Sequence, residues 1–271
     1  MSVKKEASGR RSVQVEVEVP GTPEQVWAAI ATGPGISSWF VPTQSEERQG
    51  GQQVCNFGPG MDSSSTITSW LPPKSFAAEG EMGGPGSPKV ATEWTIEARA
   101  GGKCLVRVVH SMFASTDNWD NQLDGLEKGW PAIFRILQRY LESFRGQVSS
   151  AVQFVSFAND PAPKTWEKLG GELGLLNAAQ GQKWSTPASA NSFPRMSGVS
   201  MGEGMTPSTV LLALDGPVPG SAYIGAFPCG GMVMVYLAIY LYGPNAKAAV
   251  ERDEPILQKW MDERFPMPSM G

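Results

Sequence analysis

At 271 residues the chain has room for one large domain or two ordinary ones, and a 41% hydrophobic content supplies a real core. Its 22 Lys and Arg against 26 Asp and Glu give a net charge of −4, which speaks against a nucleic-acid binder. Cys55, Cys104 and Cys229 are widely spaced with no CxxC pair, so neither a thiolate zinc site nor a thioredoxin-type redox pair is expected. Free thiols, and no apolar stretch after the basic start, point to a cytoplasmic protein without a secretory leader.

Residues 1–11 carry Lys4, Lys5, Arg10 and Arg11 and read as a flexible, solvated arm. A strand follows, with Val13, Val15, Val17 and Val19 on one face and Gln14, Glu16 and Glu18 on the other. Thr22 is a good N-cap, Pro23 suits the first helical position and Glu24 the first turn, so a short helix starts there. Val26, Trp27 and Ile30 give it an apolar side, and Gly33-Pro34-Gly35 should end it.

Short strands are expected over Gln52 to Phe57, Ser65 to Trp70 and Ser75 to Glu79, separated by Gly and Pro. The glycine- and proline-rich loop Glu81 to Pro88 could rim an opening. Two longer strands, about Val90 to Arg99 and Lys103 to Ser111, are joined at Gly101-Gly102. A helix from about Trp119 to Arg145 closes the unit. Its stripe of Leu123, Leu126, Trp130, Ile133, Phe134, Leu137 and Leu141 must meet the sheet. Pro131 predicts a kink or a break just after Trp130. The order describes an α+β unit, a curved antiparallel sheet around one long C-terminal helix.

The second half reads as a reduced echo. A strand over Ser150 to Asp160 precedes the helical PAPKTWEKLG. Further strands fall at Ser208 to Leu214 and Met232 to Tyr242, and a last helix with internal Pro255 follows. Ala222 to Tyr242 is apolar enough to raise a membrane question. Pro228, Gly230-Gly231 and the β-branched and aromatic content favour a turn and a buried strand instead. The expected division is an arm at 1–11, a first domain at 12–147 and a second at 148–271.

Several segments carry a resemblance. They are PGTPEQVWAAI (Pro20 to Ile30), SSWFVP (Ser37 to Pro42), Gly50-Gly51, SWLPPKSF (Ser69 to Phe76), the strand end VVHSMF and LEKGWPAIFRILQRYLE (Leu126 to Glu142). In this order they resemble the START-like, helix-grip (SRPBCC) superfamily, and within it the branch named for the activator of heat-shock protein 90 ATPase. The second half resembles it only in outline. The resemblance implies a six- or seven-stranded antiparallel sheet gripping the last helix. Lipid binders, polyketide cyclases and co-chaperone domains share that fold, so function must be argued from the site.

His110 is the sole histidine. It shares parity with Cys104, Val106 and Val108, which places it on the inner strand face. It could serve as a polar anchor, as a general base, or as a core histidine bonded to backbone. No metal site is expected, because Asp117, Asp120 and Asp124 lack the glycine and glutamate of a calcium loop. No phosphate loop and no cofactor motif is present.

Trp39, Phe40, Trp94, Trp130 and Phe134 either fill the core or line an apolar ligand space. The leading expectation is a non-enzymatic protein that binds a small hydrophobic molecule through Trp39, Phe40, Trp94, Val106, Val108, His110, Trp130 and Phe134. One alternative is a protein-interaction module with a chaperone partner. Another is a cyclase- or hydrolase-type enzyme pairing His110 with a carboxylate.

Overall fold

The computed structural model describes residues 3–6, 9–81, 87–113, 120–190, 192–229 and 231–267. It divides into two compact units, Met1–Val148 and Ser149–Gly271. The first contains β1 (Lys4–Lys5), β2 (Arg10–Pro20), α1 (Pro23–Ala31), α2 (Gly33–Ser37), β3 (Thr43–Ser45) and β4 (Gln52–Asn56). It continues with β5 (Asp62–Leu71), β6 (Ser75–Glu81), β7 (Lys89–Arg99), β8 (Lys103–Phe113) and α3 (Asp120–Ser143).

The sheet order is β1-β2-β8-β7-β6-β5-β4-β3, antiparallel throughout. The first long strand therefore pairs with the last. Val13 faces His110, Val15 faces Val108, Val17 faces Val106 and Val19 faces Cys104. Outside, Glu16 and Glu18 meet Arg107 and Lys103 across the same pair, both at 2.6 Å. Valines inward and charges outward fix the register, because a one-residue slip would exchange the two faces.

The stripe on α3 is buried as its spacing predicts. Leu123, Trp130, Ile133, Phe134, Leu137 and Leu141 are buried and Leu126 is half-buried, and Gln138 Nε2 bonds the Glu18 carbonyl at 2.9 Å.

Three expectations need correction. The arm at 1–11 is not simply solvated: Lys4 and Lys5 pair with Ser12 and Arg11, and Arg11 is buried. The free edge of β2 offers backbone partners to this segment. The glycines after α1 do not merely end it. Thr32 caps a second short helix there, and a Cβ on Gly35 would stand 1.9 Å from the Ala28 carbonyl oxygen. Of the kink or break expected at Pro131, the break is absent: α3 runs through it. Pro131 is exposed, so the carbonyl that loses its partner can turn to water. The expected start of α3 at Trp119 lies outside the described residues, as do residues 82–86 of the glycine-rich loop and Asp117.

The second unit contains β9 (Ser150–Ala158), α4 (Ala162–Glu172), β10 (Lys183–Ser185), β11 (Ser197–Glu203), β12 (Thr209–Gly216), β13 (Gly220–Cys229), β14 (Met232–Leu241) and α5 (Ala246–Arg264). Its sheet order is β10-β11-β12-β13-β14-β9, so its first strand again pairs with its last. The topology of the first unit is repeated with fewer strands.

The apolar run Ala222 to Tyr242 belongs to the hairpin β13–β14 rather than to a helix. Val235, Leu237 and Ile239 join a core with Trp166, Leu169, Leu257 and Trp260, and Met234, Tyr236 and Tyr240 on the other face are buried as well. A strand buried on both faces has no polar alternation to show. No helix among the described residues is long and apolar enough to cross a membrane.

Replacing Leu137, fully buried on α3, by Ala should lower unfolding free energy by about 2–5 kcal/mol. Leu71→Ala, at an exposed site, should change it by less than about 0.5 kcal/mol. Urea unfolding measures both.

Candidate functional site

On β8 the even-numbered residues Cys104, Val106, Val108, His110 and Met112 all point inward and are buried. On β7, Thr92 stands opposite His110 and Trp94 opposite Val108. Helix α3 lowers Trp130 onto this patch. Its Nε1–H donates to His110 Nε2 at 2.6 Å, while His110 Nδ1 and Thr92 Oγ1 lie 2.9 Å apart. An indole nitrogen can only donate, so Nε2 is the acceptor and the ring proton sits on Nδ1, where it is given to the Thr92 hydroxyl. The imidazole is thus held neutral in one tautomer. Burial pulls its pKa down from 6.5 to about 4. The backbone partner anticipated for a core histidine is replaced by two side chains.

Around this lock the aromatic residues touch in sequence. The His110 and Trp130 rings stack 5.8 Å apart. Trp130 meets Trp94 at 5.0 Å, Phe134 at 5.1 Å and Phe40 at 5.6 Å. Phe40 stacks on Trp39 and meets the partly exposed Phe57 at 5.8 Å. Trp94 stacks on Phe76, which continues to Trp27 and Trp70.

Of the residues singled out in the sequence, Phe40, Trp94, His110, Trp130 and Phe134 form one contiguous set. Trp39 joins it through Phe40 and anchors its own Nε1 on the Ala29 carbonyl at 2.9 Å. Val106 and Val108 are fully buried on the same face of β8. Thr92, Phe57, Phe76 and Trp70 were not anticipated. Thr92 shares strand parity with Trp94, a signal that could have placed it opposite an inward residue of β8.

Among the described residues no three His, Cys, Asp or Glu side chains converge as a metal site needs. Burial pushes the thiols of Cys55, Cys104 and Cys229 up, away from the reactive thiolate. A cavity in the second unit, lined in part by Met196, Leu214, Leu241 and Asp253, measures about 10 Å³, room for about one water.

A curved antiparallel sheet closed by one long C-terminal helix, with an aromatic interior, defines a helix-grip domain of the START-like class. The chain belongs to the family described as polyketide cyclase / dehydrase and lipid transport, whose sequence model matches residues 10–148. No curated protein matches the chain. Among solved structures, it is similar to the di-domain aromatase/cyclase BexL of the BE-7585A biosynthetic pathway, at 11% identity over 95% of this chain and 99% of that one, TM-score 0.46. DynU16, from the dynemicin biosynthetic locus, matches at 15% identity over 94% and 96%, TM-score 0.44. The Aha1 dimer from Colwellia psychrerythraea matches at 17% identity over 50% and 98%, TM-score 0.42.

The His110 lock has a measurable pH signature. Between pH 6.5 and about 4 the unfolded chain takes up a proton on this ring that the folded chain refuses. Stability should therefore fall as pH drops through that window, by about 3 kcal/mol in total, and this contribution should level off below it. Urea midpoints at pH 7.5, 6.5 and 5.5 should show the decline, and His110→Gln should flatten it.

Proposed function

We propose that this protein is a non-enzymatic binder of a small apolar molecule, held in the first unit between sheet and α3. The residues that take the ligand are Trp39, Phe40, Trp94, Val106, Val108, Trp130 and Phe134, with His110 fixing the position of Trp130 among them. The observation that carries this reading is the occupation of both His110 ring nitrogens by Thr92 and Trp130. A general base needs a free lone pair pointing at its substrate, and here that lone pair already accepts the indole N–H. The depressed pKa works the same way, since an imidazole near 4 is a weak base. What remains is a set of rings, the surface on which apolar ligands gain affinity. Membership of a family that spans polyketide cyclases and lipid transport is in keeping with an apolar ligand. Three unpaired cysteines fit a reducing, cytoplasmic setting.

A ligand of roughly 20 heavy atoms at about 0.3 kcal/mol per atom would gain ~6 kcal/mol, a dissociation constant of tens of micromolar. That suits an abundant metabolite rather than a tightly held cargo. A native mass spectrum of freshly purified protein, compared with its denatured mass, should show a non-covalent apolar adduct, or should gain one on incubation with fatty acids, sterols or polycyclic aromatics. Phe40→Ala and Trp94→Ala should each weaken that adduct several-fold. A mass that stays bare with all three ligand classes contradicts the proposal.

A further inference from the structure

The inner face of the first sheet is not apolar to its end. Read across the register, Ser45 stands opposite Gln53, Gln53 opposite Ser65, Ser65 opposite Gly80 and Gly80 opposite Val90. This row neighbours the one that contains Ile67, Ala78, Thr92 and His110. On β3 and β4 it is polar where a gripped sheet would ordinarily be aliphatic. Gln44, Gln52 and Thr66 are exposed on the opposite face, where Gln52 Nε2 bonds Thr66 Oγ1 at 3.0 Å. Gln53, by contrast, is turned in and is only 9% exposed.

Two atoms of this row have no partner. Gln53 Nε2 and Ser45 Oγ are both buried and neither makes a hydrogen bond. They belong to directly opposed residues, whose Cβ atoms in such a pair lie about 5 Å apart. Their neighbours are satisfied: Thr43 Oγ1 donates to the Val41 carbonyl at 2.9 Å, and Ser65 Oγ reaches the Gln53 carbonyl at 3.5 Å. Buried donors are almost always paired in folded proteins, so two orphans side by side call for a partner from outside the chain.

The strand that carries Gln53 leads to the aromatic set: β4 ends at Asn56, and the next residue, Phe57, meets Phe40, which meets Trp130.

We infer that Gln53 and Ser45 form a hydrogen-bonding subsite for an oxygen acceptor, a carbonyl or hydroxyl, on a ligand whose apolar body lies against Phe40 and Trp130. The inference rests on the ligand-binding reading above and narrows it to oxygenated apolar molecules. An amide N–H₂ and a hydroxyl can both donate to one uncharged oxygen, and hydrocarbon alone leaves both unpaired.

The test compares two fluorescent probes on the full chain: 2-dimethylaminonaphthalene, and the same ring bearing a 6-propionyl group, whose emission reports hydrogen bonding to its carbonyl. The carbonyl probe should bind the wild-type protein more tightly. Gln53→Leu should weaken it about five- to tenfold and shift its bound emission to the blue, with Ser45→Ala acting in the same direction. Binding of the oxygen-free probe should stay within twofold. Gln53→Leu should keep or raise the melting temperature, because it removes an unpaired buried group, so lost binding cannot be ascribed to lost folding. No advantage for the carbonyl probe, or an equal effect of Gln53→Leu on both probes, overturns the subsite and leaves the apolar site standing. Binding of neither probe to wild type removes the ligand site and the subsite together.

Discussion

The hydrogen-bonded chain Trp130–His110–Thr92 is the constraint on which the first unit turns. It joins the long helix to strands β7 and β8 through two buried polar groups, on Trp130 and His110, and the half-buried hydroxyl of Thr92; the buried pair would be costly to leave unpaired. A buried indole needs an acceptor, and a buried imidazole needs both an acceptor and a donor. The register of β7 on β8 sets Thr92 beside His110, and the seating of α3 supplies Trp130. Moving the helix by one residue would break the Trp130 bond, moving β7 by one would break the Thr92 bond, and moving β8 by one would break both. The rings that surround the lock, Phe40, Trp94 and Phe134, are positioned by the same seating.

The two units spend a common topology differently. In the first, the interior holds a polar lock, a set of rings and a polar row at the β3–β4 end. In the second, the core is dominated by aliphatic residues with Trp166, Trp184 and Trp260, and its sheet is buried on both faces at β13 and β14. There Trp184 Nε1 bonds the Leu173 carbonyl at 2.7 Å, a purely structural use of an indole. Two buried tyrosines, Tyr236 and Tyr240, have their pKa values driven upward by burial and stay neutral.

Much of the first unit was legible because its signals are local. Val13 to Val19 alternate, Thr22 caps α1 with Gln25 completing the box, and the stripe from Leu123 to Leu141 recurs at three and four. The inward face of His110 followed from parity alone. Its partners did not, since Thr92 is 18 residues away and Trp130 is 20, and only the pairing of β7 with β8 and the docking of α3 bring them together. At Pro131 the helix does not break, because a proline at an exposed helix position loses less than one facing the core. β13 was missed because Pro228 and Gly230-Gly231 read as a turn before a single strand; within it Gly225 is held to glycine by close packing, since a Cβ there would lie 2.3 Å from Thr209 Cγ2. β10 and β11 are short or glycine-interrupted, so no periodicity exposes them.

The measurement that bears most directly on this account is the nitrogen-15 NMR spectrum of the His110 ring, recorded from pH 8 to 5. The account predicts a proton on Nδ1, an unprotonated Nε2 that accepts a hydrogen bond, and no titration across this range. A ring that titrates near pH 6.5, or one that carries its proton on Nε2, would contradict the lock and return His110 to the list of possible general bases.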